Sequence, residues 1–138
     1  AYTPDMLAPA HHARRGASMP DTAPLRPDAG RLHDLAPLFT TSPDGPHRSL
    51  VVSSPGFTVL HLCLRPGQRM PEHDHIGSYV TIQTLAGTAT VVLDHVPVTV
   101  PAGHILSFMG ESRVSPGNEG PDDCAVLITL VDRPATSD

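Results

Sequence analysis

Residues 66–87, PGQRMPEHDHIGSYVTIQTLAG, carry two patterns at once. The second half, SYVTIQTL, alternates apolar or β-branched residues with polar ones and runs into Ala86-Gly87, the pattern of a half-buried strand closed by a turn. The first half opens on the turn signal Pro66-Gly67 and sets His73 and His75 two apart in what reads as extended chain. In a strand, residues two apart share a face and are separated by roughly 6.6 Å along the chain. Two imidazoles so placed can converge on one cation with bonds of about 2.0–2.1 Å.

Working outward, short β segments alternate with turns on both sides of this stretch. Before it come SLVVSS, closed by Pro55-Gly56, and FTVLHLCL, closed by Arg65-Pro66-Gly67. After it come TATVVLD, a tight turn at His95, VPVTV, the turn Pro101-Ala102-Gly103, and HILSFM. A loop holding Pro116, Gly117, Gly120 and Pro121 then precedes a last strand, CAVLITLVD. Strands about eight to ten residues apart with a turn at each gap predict an all-β sandwich or barrel. No amphipathic helix of useful length is legible.

Upstream of residue 47 the texture differs. Residues 1–46 hold eight of the sixteen prolines. Proline fixes φ and removes an amide donor, so this segment is expected to be an extended arm. Its one apolar patch, RLHDLAPLF (31–39), can form a helical turn or a strand docking on the body. The expected organisation is an arm over 1–46, a barrel over 47–133 and a tail over 134–138.

The chain of 138 residues is one domain's worth of sequence with a core of Val, Leu, Ile and Ala, since it has three Phe, two Tyr and no Trp. Its net charge of −5 and the absence of an Arg run argue against nucleic-acid binding. No apolar stretch approaches the ~20 residues of a membrane-spanning helix, and no apolar signal core opens the chain. A cytoplasmic protein is expected. Cys63 and Cys124 form no C-x-x-C pair; two buried thiols are the first reading and one disulfide the second.

With these residues in place the β region, about 48–132, resembles the cupins, small jelly-roll or double-stranded β-helix barrels. The first cupin motif has Gly, five residues, His-x-His, three or four residues, Glu, six residues, Gly. Gly67, His73, His75 and Gly87 match it, while Val80 stands at the Glu slot. The second motif opens on a Gly, matched by Gly103. Its His slot holds Val114, its Pro slot Met109 and its Gly slot Glu111, and Asn118 falls on its Asn. The resemblance thus implies a cupin barrel in which two of four metal ligands survive.

Two histidines alone would hold a cation weakly, because stable sites normally use three or four protein ligands. A third donor could come from His61, whose strand face includes Val59 and Cys63. It could also come from Tyr79 or Gln83, if a one-residue register shift turned that face inward. Glu72 and Asp74 alternate with the pair and should point away. Three functions stay open.

The first is a metal enzyme of dioxygenase or isomerase type. A divalent zinc, nickel, iron, manganese or copper ion would sit on His73 and His75, with Tyr79 as acid or hydrogen-bond donor. The second is a metal-free barrel that binds or senses a small molecule in a pocket of Val80, Ile82, Thr84, Phe108 and Val114, anchored by the two histidines. The third is a structural homodimer with a filled barrel, and dimerisation is expected under all three. No G-x-S-x-G elbow or phosphate-binding glycine loop is present.

Overall fold

The computed structural model describes residues 30–134. The expected arm lies outside the described residues as far as residue 29, as does the tail from residue 135. The patch at 31–39 takes the helical-turn option, a short 3-10 turn over Ala36–Leu38 with Pro37 in its first positions. The chain beyond it lies against the body. Cys63 Sγ donates to Leu38 O (3.3 Å), Gln68 Nε2 to Ser42 O (2.7 Å) and Arg65 Nε to Thr41 Oγ1 (3.2 Å).

Eight strands follow: β1 (His47–Ser54), β2 (Phe57–Leu64), β3 (Ser78–Ala86), β4 (Thr88–Leu93), β5 (Val96–Pro101), β6 (Ile105–Met109), β7 (Val114–Gly117) and β8 (Cys124–Asp132). They form an antiparallel five-stranded sheet, ordered β1-β2-β8-β3-β6, and a three-stranded sheet, ordered β5-β4-β7. The molecule is all-β, as the strand and turn spacing predicts. The β4–β5 hairpin turns on Asp94 and His95, both with positive φ (50° and 70°), the backbone that a two-residue type I′ turn demands. Asp94 is held there by Arg113, whose N–H donates to Asp94 Oδ1 (2.8 Å) and whose carbonyl accepts from Asp94 N (2.8 Å).

The core lies between the inner faces of the two sheets. Leu62, Leu64, Val80, Ile82, Ala89, Val91, Val100, Val114, Cys124 and Val126 are buried there, with Met70, Phe108, Ile128 and Leu130 packed against them. Alternation assigns each strand's faces: on β2 the residues Leu60, Leu62 and Leu64 turn inward and Val59, His61 and Cys63 outward. Leu64 pairs with Cys124 and Cys63 with Ala125, so the two thiols lie on opposite faces of the sheet. Both are free, which sets the disulfide option aside. Burial pushes the Cys124 thiol up to about 11, so it stays protonated and unreactive at neutral pH.

Two expectations about the strands are corrected. The stretch carrying His73 and His75 is not a regular strand but the β2–β3 connection, which runs antiparallel to β7 through isolated bonds. Met70 N donates to Pro116 O (2.8 Å), Asn118 N to Gln68 O (2.9 Å) and Gly67 N to Asn118 O (2.7 Å). The pairing shifts by one residue between Arg69↔Gly117 and His73↔Val114, so the ladder is interrupted. Conversely Pro116 and Gly117, expected in a loop, belong to β7; Pro116 cannot donate, but its carbonyl still completes the pairing.

Arg69 ties this layer together. Its guanidinium donates to Ser115 O (2.5 Å), Thr90 O (3.2 Å) and Glu119 (2.9 Å). It occupies the space that a side chain on Gly117 would fill.

Candidate functional site

Between the β2–β3 connection and the five-stranded sheet lies a cavity lined by Arg48, Leu60, Leu62, Met70, His73, His75, Ile82, Pro116 and Ile128. Its volume is about 50 Å³. On the scale where one buried water needs about 10–15 Å³, it admits roughly three to five water-sized groups. The walls are apolar because strand alternation points Leu60 and Leu62 of β2, Ile82 of β3 and Ile128 of β8 inward.

His73 and His75 enter from the connection, ring centroids 4.7 Å apart and edge to face. His73 is set by backbone and side chain together. Its N–H and carbonyl bridge Val114 (3.0 and 2.7 Å), and its Nδ1 lies 2.8 Å from Pro71 O. A carbonyl only accepts, so Nδ1 carries the proton, and in the uncharged form of the ring Nε2 is the acceptor. His75 is set by Gly110, whose carbonyl accepts from His75 N (2.8 Å). Burial, and then the neighbouring His73, hold the His75 imidazole below its ordinary value of 6.5.

The other sequence candidates fall into two groups. Ile82 lines the cavity, whereas Val80, Thr84 and Val114 are fully buried in the surrounding core and Phe108 packs against it. Three residues offered as donors or acid stand elsewhere. His61 is buried (2 % exposed) on the outer face of β2, its Nδ1 3.6 Å from Cys63 Sγ, because its neighbours Leu60 and Leu62 hold the inward positions. Tyr79 is 53 % exposed, opposite Met109 and Val131, with the Arg133 guanidinium 5.9 Å from its ring centre. Gln83 pairs with Ile105 and Leu127 on that same outer face. The register shift that would turn Tyr79 and Gln83 inward does not occur, and the β3 bulge comes only beyond Thr84.

Sequence reasoning missed Arg48, Leu60, Leu62, Met70, Pro116 and Ile128. Arg48 is the consequential one. It stands on β1, the edge of the large sheet, directly across from the inward Leu62. It is exposed and also lines the cavity, so it forms part of the rim.

The donor set does not fit a resident metal. The cavity offers two imidazoles, and no cluster of three or more His, Cys, Asp or Glu side chains able to hold a cation occurs among the described residues. The slots that would complete a four-ligand set carry Val80 and Val114, both pointing inward and both without a donor atom. A cation would also share the cavity with the Arg48 guanidinium, whose charge opposes it.

No family model matches the sequence, and no curated protein matches it. Solved structures do match in fold. An RmlC-like cupin protein from Desulfovibrio desulfuricans is 23 % identical, with a TM-score of 0.67 over 74 % of this chain and 96 % of that one. A conserved protein with a double-stranded β-helix domain from Klebsiella pneumoniae is 20 % identical, with a TM-score of 0.69 over 78 % and 94 %. A predicted oxalate decarboxylase from Thermotoga maritima is 19 % identical, with a TM-score of 0.59 over 64 % and 81 %. At these identities the likeness is one of fold.

Proposed function

The chain has the cupin fold, and we propose that it is a binding barrel for a small molecule, working without a metal. The observation that carries this reading is the lining of the cavity: six apolar residues, two imidazoles and one guanidinium, with no carboxylate. A concave apolar site with a few placed polar groups is the general form of a small-molecule site. The valines at the two remaining ligand slots are buried in the core around the cavity, where a metal enzyme would need donors.

In this reading the walls supply affinity through burial, worth ~25 cal/mol per Å² of apolar ligand surface removed from water. The imidazoles supply orientation. His73 offers an acceptor at Nε2, fixed in direction by the Nδ1–Pro71 bond. No helix among the described residues is long and apolar enough to cross a membrane.

The catalytic alternative rests on the same two histidines and lacks both its third donor and its acid, since His61, Gln83 and Tyr79 face away from the cavity. The test is methyl-resolved NMR of the metal-free protein against a library of small organic molecules. A ligand of the cavity shifts the methyls of Leu60, Leu62, Ile82 and Ile128 together. Shifts confined to outward methyls such as Ile105 would contradict the reading.

A further inference from the structure

We infer, resting on the cavity as a ligand site, that its ligand is a small organic carboxylate: Arg48 takes the carboxylate and the Leu60, Leu62, Ile82 and Ile128 walls take the apolar body.

The arginines of the described body are not equivalent. Arg69 pairs with Glu119, Arg113 with Glu72 and Asp74, and Arg133 with Glu111. Each of these is held by carboxylates on the protein's own surface. Arg31, Arg48 and Arg65 have no carboxylate within ion-pair distance among the described residues, and of these three it is Arg48 that lines the cavity. Among the described residues its fork of N–H donors is engaged by no carboxylate where it lines the cavity. A guanidinium matches a carboxylate through two parallel hydrogen bonds, a geometry that a lysine cannot reproduce.

Behind that rim the lining contains no carboxylate, so a cationic ligand finds no counter-charge and faces the Arg48 guanidinium, which attracts an anion instead. The arrangement is polarised. One charged donor stands at the mouth and an aliphatic floor lies beneath it, which suits an ion with one charged head and one apolar end. The small volume limits the buried part to a few heavy atoms. A phosphate or sulfate ion would satisfy the guanidinium but leave the aliphatic floor empty. His73 Nε2 adds a third feature, since it can accept a hydrogen bond from a hydroxyl on the ligand's short chain.

The experiment is an NMR titration of the four wall methyls with butyrate, its neutral isostere butyramide, 3-hydroxybutyrate and inorganic phosphate. It uses the wild type, Arg48→Gln and Arg48→Lys, with dissolved xenon as an uncharged occupant of the cavity. Butyrate is expected to bind at least about tenfold more tightly than butyramide, the scale of one hydrogen bond to a charged group. Arg48→Gln should erase that difference, Arg48→Lys should retain only part of it, and 3-hydroxybutyrate should bind more tightly than butyrate. Phosphate should leave the wall methyls unmoved. Equal binding of butyrate and butyramide, or an Arg48→Gln variant that still prefers butyrate, overturns the carboxylate and leaves the cavity a ligand site. Response to xenon alone does the same. Silence toward all four solutes and xenon sinks the cavity reading as well.

Discussion

His73 and Val114 exchange both backbone hydrogen bonds across an isolated antiparallel bridge, at 3.0 and 2.7 Å. A pair that exchanges both bonds carries its side chains on the same side of the ladder. Val114 therefore stands beside the first imidazole, buried in the core, at a position where a third imidazole would complete a metal site.

That relationship gives the first prediction. Val114→His, alone or with Val80→Glu, should raise the affinity for Co(II) or Zn(II) by at least about tenfold, since even indirect changes at metal sites reach that size. Burying a polar ring in an apolar core should cost about 1–3 kcal/mol in the metal-free protein, recovered when metal binds. Cobalt absorption spectra and metal-dependent melting curves read both effects. No gain in affinity would mean that position 114 does not face the imidazoles.

Gly110 supplies the second. A side chain there would collide with the carbonyl of His75, and the same glycine accepts the His75 N–H through its own carbonyl (2.8 Å). Gly110→Ala should force the 75–78 turn away from β6 and move His75 out of the cavity. The expected result is a loss of about 1–3 kcal/mol of stability, the range typical of a local steric conflict. The His75 ring resonances should shift, with a smaller change at His95. A variant with unchanged melting temperature and unchanged His75 signals would contradict the packing described.

The third concerns pH. His61 is buried beside Cys63, and burial, followed by the charge of His47, holds its imidazole below 6.5. The folded state thus binds its proton less readily than the unfolded chain does. Stability contributed by the neutral ring is fully present above pH 6.5 and is lost as pH falls from there through the lower folded value. Melting temperature should decline on acidification over that window. His61→Leu should flatten the decline, and a slope identical to that of the wild type would show that His61 does not carry it.

Much of the architecture was legible because alternation and turn residues fall where the strands begin and end. FTVLHLCL and CAVLITLVD coincide with β2 and β8. The site was less legible, and for physical reasons. Both faces of β2 are apolar, with Phe57, Val59 and Cys63 on one and Leu60, Leu62 and Leu64 on the other, so periodicity could not say which way His61 points. Pro116 and Gly117 signal a turn, yet an antiparallel partner needs only the Pro116 carbonyl, and β7 forms regardless. Arg48 was invisible because its place at the cavity rim depends on pairing with Leu62 of β2, and no local pattern in β1 marks it.

The measurement that bears most directly on the central claim is the metal content of the protein. It should be purified without a histidine tag or chelator, beside a His73→Ala, His75→Ala double variant. A metal-free barrel predicts far less than one equivalent of transition metal in both proteins, each folded and with similar melting temperatures. Near one equivalent in the wild type, absent from the double variant, would contradict it.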